Sequence, residues 1–89
     1  MLAQTAIAGD YYSVAYNWAY KAEIQSNTGG QEKAKGMPCD PEGVLNQPLW
    51  EALVNQMIHK HNLSSAAATD FRRGFRQGFI DAYKANYKR

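Results

Sequence analysis

The side chains of this chain that could do chemistry are few, and they fall into two groups. Cys39, Asp40 and Glu42 stand close together around Pro41, and His59 and His61 stand two positions apart. A cysteine with a histidine is the pattern of a nucleophilic dyad, paired carboxylates suit acid–base work, and mixed His, Cys and Asp sets hold metals. The spacing supports none of these. On a helix His59 and His61 point about 200° apart, so one ion cannot take both. No zinc spacing is matched. Cys39 has no third orienting group and no glycine-rich phosphate loop near it. The reading is therefore no catalytic residue, no metal site and no cofactor: the chain is not an enzyme.

The second group is cationic. Residues 71–89 carry Arg72, Arg73, Arg76, Lys84, Lys88 and Arg89 against the single acid Asp81, a balance of +5 within an overall net charge of +2. Arg72, Arg73 and Arg76 are the candidate anion contacts. They follow a helical segment and a short turn at Asn62, Leu63 and Ser64, which sketches a helix-turn-helix with a basic second helix. A nucleic-acid-binding regulator is thus the alternative reading. Against it, the helix that bears these arginines also bears Phe71, Phe75 and Phe79, which face a core, and the total charge is low for a phosphate binder.

What positions these residues is a pair of ladders. Phe71, Phe75, Phe79, Tyr83 and Tyr87 repeat every four residues, beside Gly74, Gly78 and Ala82. Residues four apart share a helix face, so bulky rings run next to a shallow groove. Tyr12, Tyr16 and Tyr20, with Ala15 and Ala19, repeat the arrangement near the other end. Two glycines inside a helix each cost about 1 kcal/mol relative to alanine, which implies close approach of another backbone. Three arginines among residues 72–76 exclude a membrane span for this Gly-x-x-x-Gly pair.

Three helices are predicted. The first covers residues 10–25 with Asp10 as N-cap. The second covers 48–61, opened by Pro48 and striped by Trp50, Leu53, Val54, Met57, Ile58 and His61. The third covers 65–87, capped by Ser64 or Ser65. Residues 26–47 hold four glycines and two prolines and read as a long connection. Within it, 27–36 is expected to be mobile, and 37–45 ordered through Met37, Cys39, Val44 and Leu45. The fold class is all-α, a small three-helix bundle with a long Gly/Pro-containing connection in a single domain of 89 residues. The expected core is Tyr16, Trp18, Ala19, Trp50, Leu53, Val54, Met57, Ile58, Phe71, Phe75, Phe79 and Tyr83.

A core this small leaves rings over, and uncovered rings mark interaction surfaces. The leading expectation is a non-catalytic protein-binding module, with a homodimer as its simplest assembly. Its candidate contact residues are Tyr12, Tyr16, Tyr20, Gly74, Gly78, Phe79, Tyr83 and Tyr87. Cys39 is the only cysteine, so no internal disulfide can form. Ala6, Ile7 and Ala8 match the small-x-small pattern that precedes a signal-peptidase cut. A periplasmic or secreted location and a cytoplasmic one are both open.

The segment Cys39-Asp40-Pro41-Glu42-Gly43-Val44, followed by Leu49, Val54 and Ile58 on a helix, resembles the Cys-x-Pro-x-Gly-Val element and amphipathic helix of the Rap1a/Tai-type immunity proteins. That resemblance implies a small helical periplasmic protein that inhibits a peptidoglycan amidase delivered by type VI secretion. The chain departs from the family in lacking its further cysteines, and the C-terminal aromatic ladder has no counterpart there.

Overall fold

The computed structural model describes residues 8–89, with side chains described from Tyr11 onward. Regular structure among these residues is entirely helical, in the order α1 (Ala8–Ser26), α2 (Thr28–Ala34), α3 (Pro41–Leu45), α4 (Pro48–Lys60) and α5 (Ser65–Lys88). The all-α class stands. The three predicted helices correspond to α1, α4 and α5, but the three-helix description is too simple. The supposed connection contains a two-turn helix and a single turn more. The described part of α1 already includes Ala8, so Asp10 lies within the helix and not at its N-cap. The small-x-small expectation rests mainly on residues 1–7, outside the described residues.

Helices α1 and α5 are the frame. Tyr12 lies opposite Gly74 and Tyr16 opposite Gly78, while Glu23 meets Asn86. Because the partner number rises as the helix ascends, the two run parallel. A methyl group on Gly74 would lie 2.8 Å from Tyr12 Cα, and one on Gly78 would lie 2.9 Å from Tyr16 Cα. Backbone therefore touches backbone, which is why two helix-breaking residues are tolerated in a helix of 24 residues. Ala15, Ala19 and Ala82 are fully buried along the same seam.

Helix α4 runs antiparallel to α5 on the other side. The Trp50 ring sits 4.8 Å from that of Phe79, and Asn55 meets Arg72 near the opposite end. Phe71, Phe75, Phe79 and Tyr83 form the core with Val44, Val54, Ala15 and Ala19. Trp18, Trp50, Met57 and Ile58 pack against it only partly buried. Two further expected core members are also only partly buried. Leu53 is half-buried, and Tyr16 lies on a flank of the seam because its hydroxyl reaches out to Asp81.

Residues 27–36, expected to be mobile, instead form α2 and its C-cap. Asn27 adopts a left-handed backbone (φ 54°) that ends α1. The chain then coils again because Gly29 fits where a side chain could not: its added methyl would stand 3.1 Å from the Tyr83 carbonyl carbon. Gly29 is thus a docking point for α5 and not a breaker, while Gly30 packs against the Asn27 side chain. In residues 37–45 the anchors also differ from expectation. Met37 is 45% exposed and Cys39 is exposed, so neither anchors by burial. Their stretch is held by the Tyr87 hydroxyl donating to the Met37 carbonyl at 2.6 Å. It is also held by buried Pro41 and Val44 in α3, whose N-cap Asp40 accepts from Gly43 N–H at 3.1 Å. Ser64 caps α5, accepting from Ala67 N–H at 3.2 Å.

Candidate functional site

Of the expected contact residues, Gly74, Gly78, Phe79 and Tyr83 are buried inside the chain. They grip α1, α2 and α4, and no surface of theirs is left for a partner. Tyr87 is half-buried and ties the α2–α3 loop. Tyr12, Tyr16 and Tyr20 form a stacked row, ring centroids 6.3 and 6.1 Å apart. Two of the three are fastened to α5. The Arg73 guanidinium lies over the Tyr12 ring at 5.9 Å. The Tyr16 hydroxyl donates to Asp81 at 2.6 Å, and Asp81 also accepts from Gln77 at 2.8 Å.

The phenols report how firmly this is held. The hydrogen bond to the Asp81 carboxylate, aided by burial, pushes Tyr16 up to about 12. Burial foremost, then the bond to Glu32, pushes Tyr83 up to about 12. Both are acids whose folded pKa exceeds the ordinary value of 10.0. Their contribution to stability is complete below about pH 10 and is lost as pH rises through about 12. Alkaline titration followed by tyrosinate absorbance should show Tyr16 and Tyr83 ionising late, and Tyr16→Phe should remove one late-ionising group. Six tyrosines ionising together near the ordinary value would contradict both bonds.

The three arginines are not brought together. Arg72 and Arg76 point to the α4 side, where Arg72 donates to Asn55 Oδ1 at 2.9 Å and Arg76 pairs with Glu42 at 3.0 Å. Arg73 turns to the α1 side and lies 3.5 Å from Asp70. A helix-turn-helix reading needs them on one presenting face, and Arg73 turns away from the other two toward Tyr12.

What the fold leaves open lies on the two flanks of α4. On one flank Tyr11, Val14 and Trp18 of α1, Met57 and His61 at the end of α4, Leu63 and Phe71 wall an apolar trough of 320 Å³. Val14, on its rim, is 58% exposed. On the other flank two cavities follow each other along α4 and α5. One of 210 Å³ is lined by Leu45, Trp50, Glu51, Val54, Phe75 and Arg76, among others. The next, of 470 Å³, is lined by Ile58, His59, Asn62 and Leu63. Asn55 and Arg72 line both. Helix α4 itself buries only Val54, and Leu49 on its first turn is 73% exposed. Among the described residues no three His, Cys, Asp or Glu side chains converge on a metal site. No described helix is long and apolar enough to cross a membrane.

The sequence reading missed Glu23 and Asn86, the two buried polar side chains. The Glu23 carboxylate accepts from Gly29 N–H at 2.8 Å, Asn86 Nδ2 at 3.0 Å and Ser26 Oγ at 3.1 Å. The signal was present. Glu23 is the next step of the Ala15–Ala19 ladder, and Asn86 the next step of Gly74, Gly78 and Ala82. Comparison with family models, curated proteins and solved structures yields no match for this chain.

Proposed function

We propose that this chain is a small non-catalytic helical module that binds a protein partner. The observation that carries the reading is the apolar trough between α1 and α4. A cavity walled by Tyr11, Trp18, Met57, Leu63 and Phe71, with Val14 open on its rim, suits an inserted apolar side chain. The polar groups of the interior support it in another way. Glu23, Glu32 and Asp81 are each engaged in bonds between helices, so they serve architecture and not turnover. An immunity-like inhibitor of a cell-wall amidase is one form the module takes if the resemblance of residues 39–58 holds, and a second copy of the chain is another candidate partner.

The test is affinity capture from an extract of the source cells, at low and high salt, beside light scattering of the purified chain. Val14→Glu places a charge in the trough at an exposed position, so folding should be preserved. Wild type should retain a protein, or self-associate, at both salt concentrations, and Val14→Glu should lose it. An aromatic interface is little weakened by salt, whereas phosphate binding falls steeply. Capture of nucleic acid alone, released by salt and indifferent to Val14→Glu, would reverse the reading.

A further inference from the structure

Helix α4 is held less firmly than the helices it lies against, and it forms one wall of the trough that carries the binding-module reading above. The α1–α5 seam sets main chain against main chain at Gly74 and Gly78, and bonds at Tyr16 and Glu23 cross it. Of the 13 residues of α4, only Val54 is buried. Trp50 holds its first turn, with its ring 4.8 Å from that of Phe79 and 6.1 Å from that of Phe75. Met57 and Ile58, in its second half, reach the core but stay partly exposed. Among the described residues one hydrogen bond and no ion pair joins α4 to another helix, and that bond, from Arg72 to Asn55, is exposed.

Open space borders the second half of α4 on both sides. The trough of 320 Å³ runs past Met57 and His61, and the cavity of 470 Å³ runs past Ile58 and His59. A gap beside a packed side chain forfeits the contacts that would resist its displacement. The helix itself is well closed. Pro48 opens it. At its other end Asn62 turns left-handed (φ 52°). Asn62 N–H donates to the His59 carbonyl at 3.1 Å and Leu63 N–H to the Ile58 carbonyl at 3.2 Å. Those bonds satisfy carbonyls that would otherwise leave the last turn to fray. The joints are short: Asn46 and Gln47 lead in from α3, and residues 61–64 lead out to α5.

A rod that is intact along its length, pinned at one end and bordered by space at the other, pivots more readily than it unwinds. We propose that α4 is a lid: it swings as one helix about Trp50, closing and opening the trough, while α1 and α5 stay paired. An apolar side chain entering the trough then draws Met57 toward Val14 and holds the lid shut.

The experiment reads distances between nitroxide labels by electron paramagnetic resonance. It uses the whole chain with Cys39→Ser, so that only introduced cysteines carry label. Asn17→Cys with Lys60→Cys reports α1 against α4, and Asn17→Cys with Gln77→Cys reports α1 against α5; all three positions are exposed. The α1–α4 distribution should be about twice as broad as the α1–α5 one. Val14→Phe, which fills the trough from its exposed rim, should narrow the first and leave the second unchanged. A third pair, Glu51→Cys with Lys60→Cys, should stay narrow, at about 13.5 Å along an intact helix. Equal widths for the first two pairs overturn the lid, as does a broad α1–α4 distribution that ignores Val14→Phe. A third pair as broad as the first also overturns it, because α4 then unwinds. If the lid is overturned while Val14→Glu still abolishes capture, the binding-module reading stands. A mobile α4 that Val14→Phe arrests, in a chain whose capture is indifferent to Val14→Glu, supports the lid and overturns that reading.

Discussion

Gly78→Ala is expected to destabilise this protein, although alanine is the better helix former by about 1 kcal/mol. The added methyl would fall on the Tyr16 carbonyl, within 2.9 Å of Tyr16 Cα. That neighbour is main chain and cannot rotate away. The helices must separate, and the packing of Ala15, Ala19 and Ala82 along the seam is lost with them. Overpacking of this kind costs about 1–3 kcal/mol, and more where nothing can yield. We expect Gly78→Ala to lower the urea midpoint and Gly78→Leu to prevent cooperative folding. Gln77→Leu, one position away and exposed, should change the midpoint little. Equal midpoints for Gly78→Leu and Gln77→Leu would remove the α1–α5 contact from the fold.

Asn86→Asp should be as damaging for a different reason. The wild-type amide gives both of its Nδ2 bonds to Glu23, one to the carbonyl and one to the carboxylate, each at 3.0 Å. Its Oδ1 is buried without a hydrogen-bond partner. Aspartate would withdraw both donors and set a second carboxylate against the first, with neither exposed. Leaving a buried charge without its partner costs about 3–5 kcal/mol. The new pair resists double ionisation, so at least one carboxyl has its folded pKa raised above the unfolded value. The penalty is therefore full above that raised value and shrinks as pH falls through it. Asn86→Ala loses the donors but adds no charge, so its deficit should be smaller and should vary less with pH than that of Asn86→Asp. Melts of the two variants at several pH values distinguish them. A pH-independent deficit in Asn86→Asp would mean that the two side chains do not face each other.

Much of the frame was legible in the residues. The four-residue spacing of rings and small residues located α1 and α5, and Gly74 and Gly78 correctly signalled a close backbone approach. Pro48 and Ser64 placed the starts of α4 and α5. What misled was reading composition without tertiary context. Gly29 and Gly30 look like a break, yet both lie inside α2, and Gly29 is small because Tyr83 leaves no room for a side chain there. The same logic listed Gly74, Gly78, Phe79 and Tyr83 among the contact residues, although the chain buries all four itself. A ladder of rings announces burial, but it cannot say whether the covering surface is a partner or another part of the same chain. Here Phe79 and Tyr83 are covered from within. The trough is walled by side chains of α1, α4 and α5 and the cavities on the other flank by α4, α5 and their neighbours, and no local pattern encodes them. Residues such as Val14 and Leu49 acquire their interest only from being left uncovered.

The parallel pairing of α1 with α5 also governs how this chain reaches its fold. Tyr12 and Gly74, or Tyr16 and Gly78, are 62 positions apart. Closing a loop of that length costs roughly 2 kcal/mol more than closing one of about five residues. Helical proteins usually fold fast because their neighbours in sequence are neighbours in space; here the decisive neighbours are not. The transition state must bring α1 and α5 together before their seam returns any energy, so refolding should be slow for a helical protein of this size. On the ribosome, α1 emerges with its alanine seam uncovered and keeps it uncovered until α5 has been made. The α1–α5 part of the core should therefore form late.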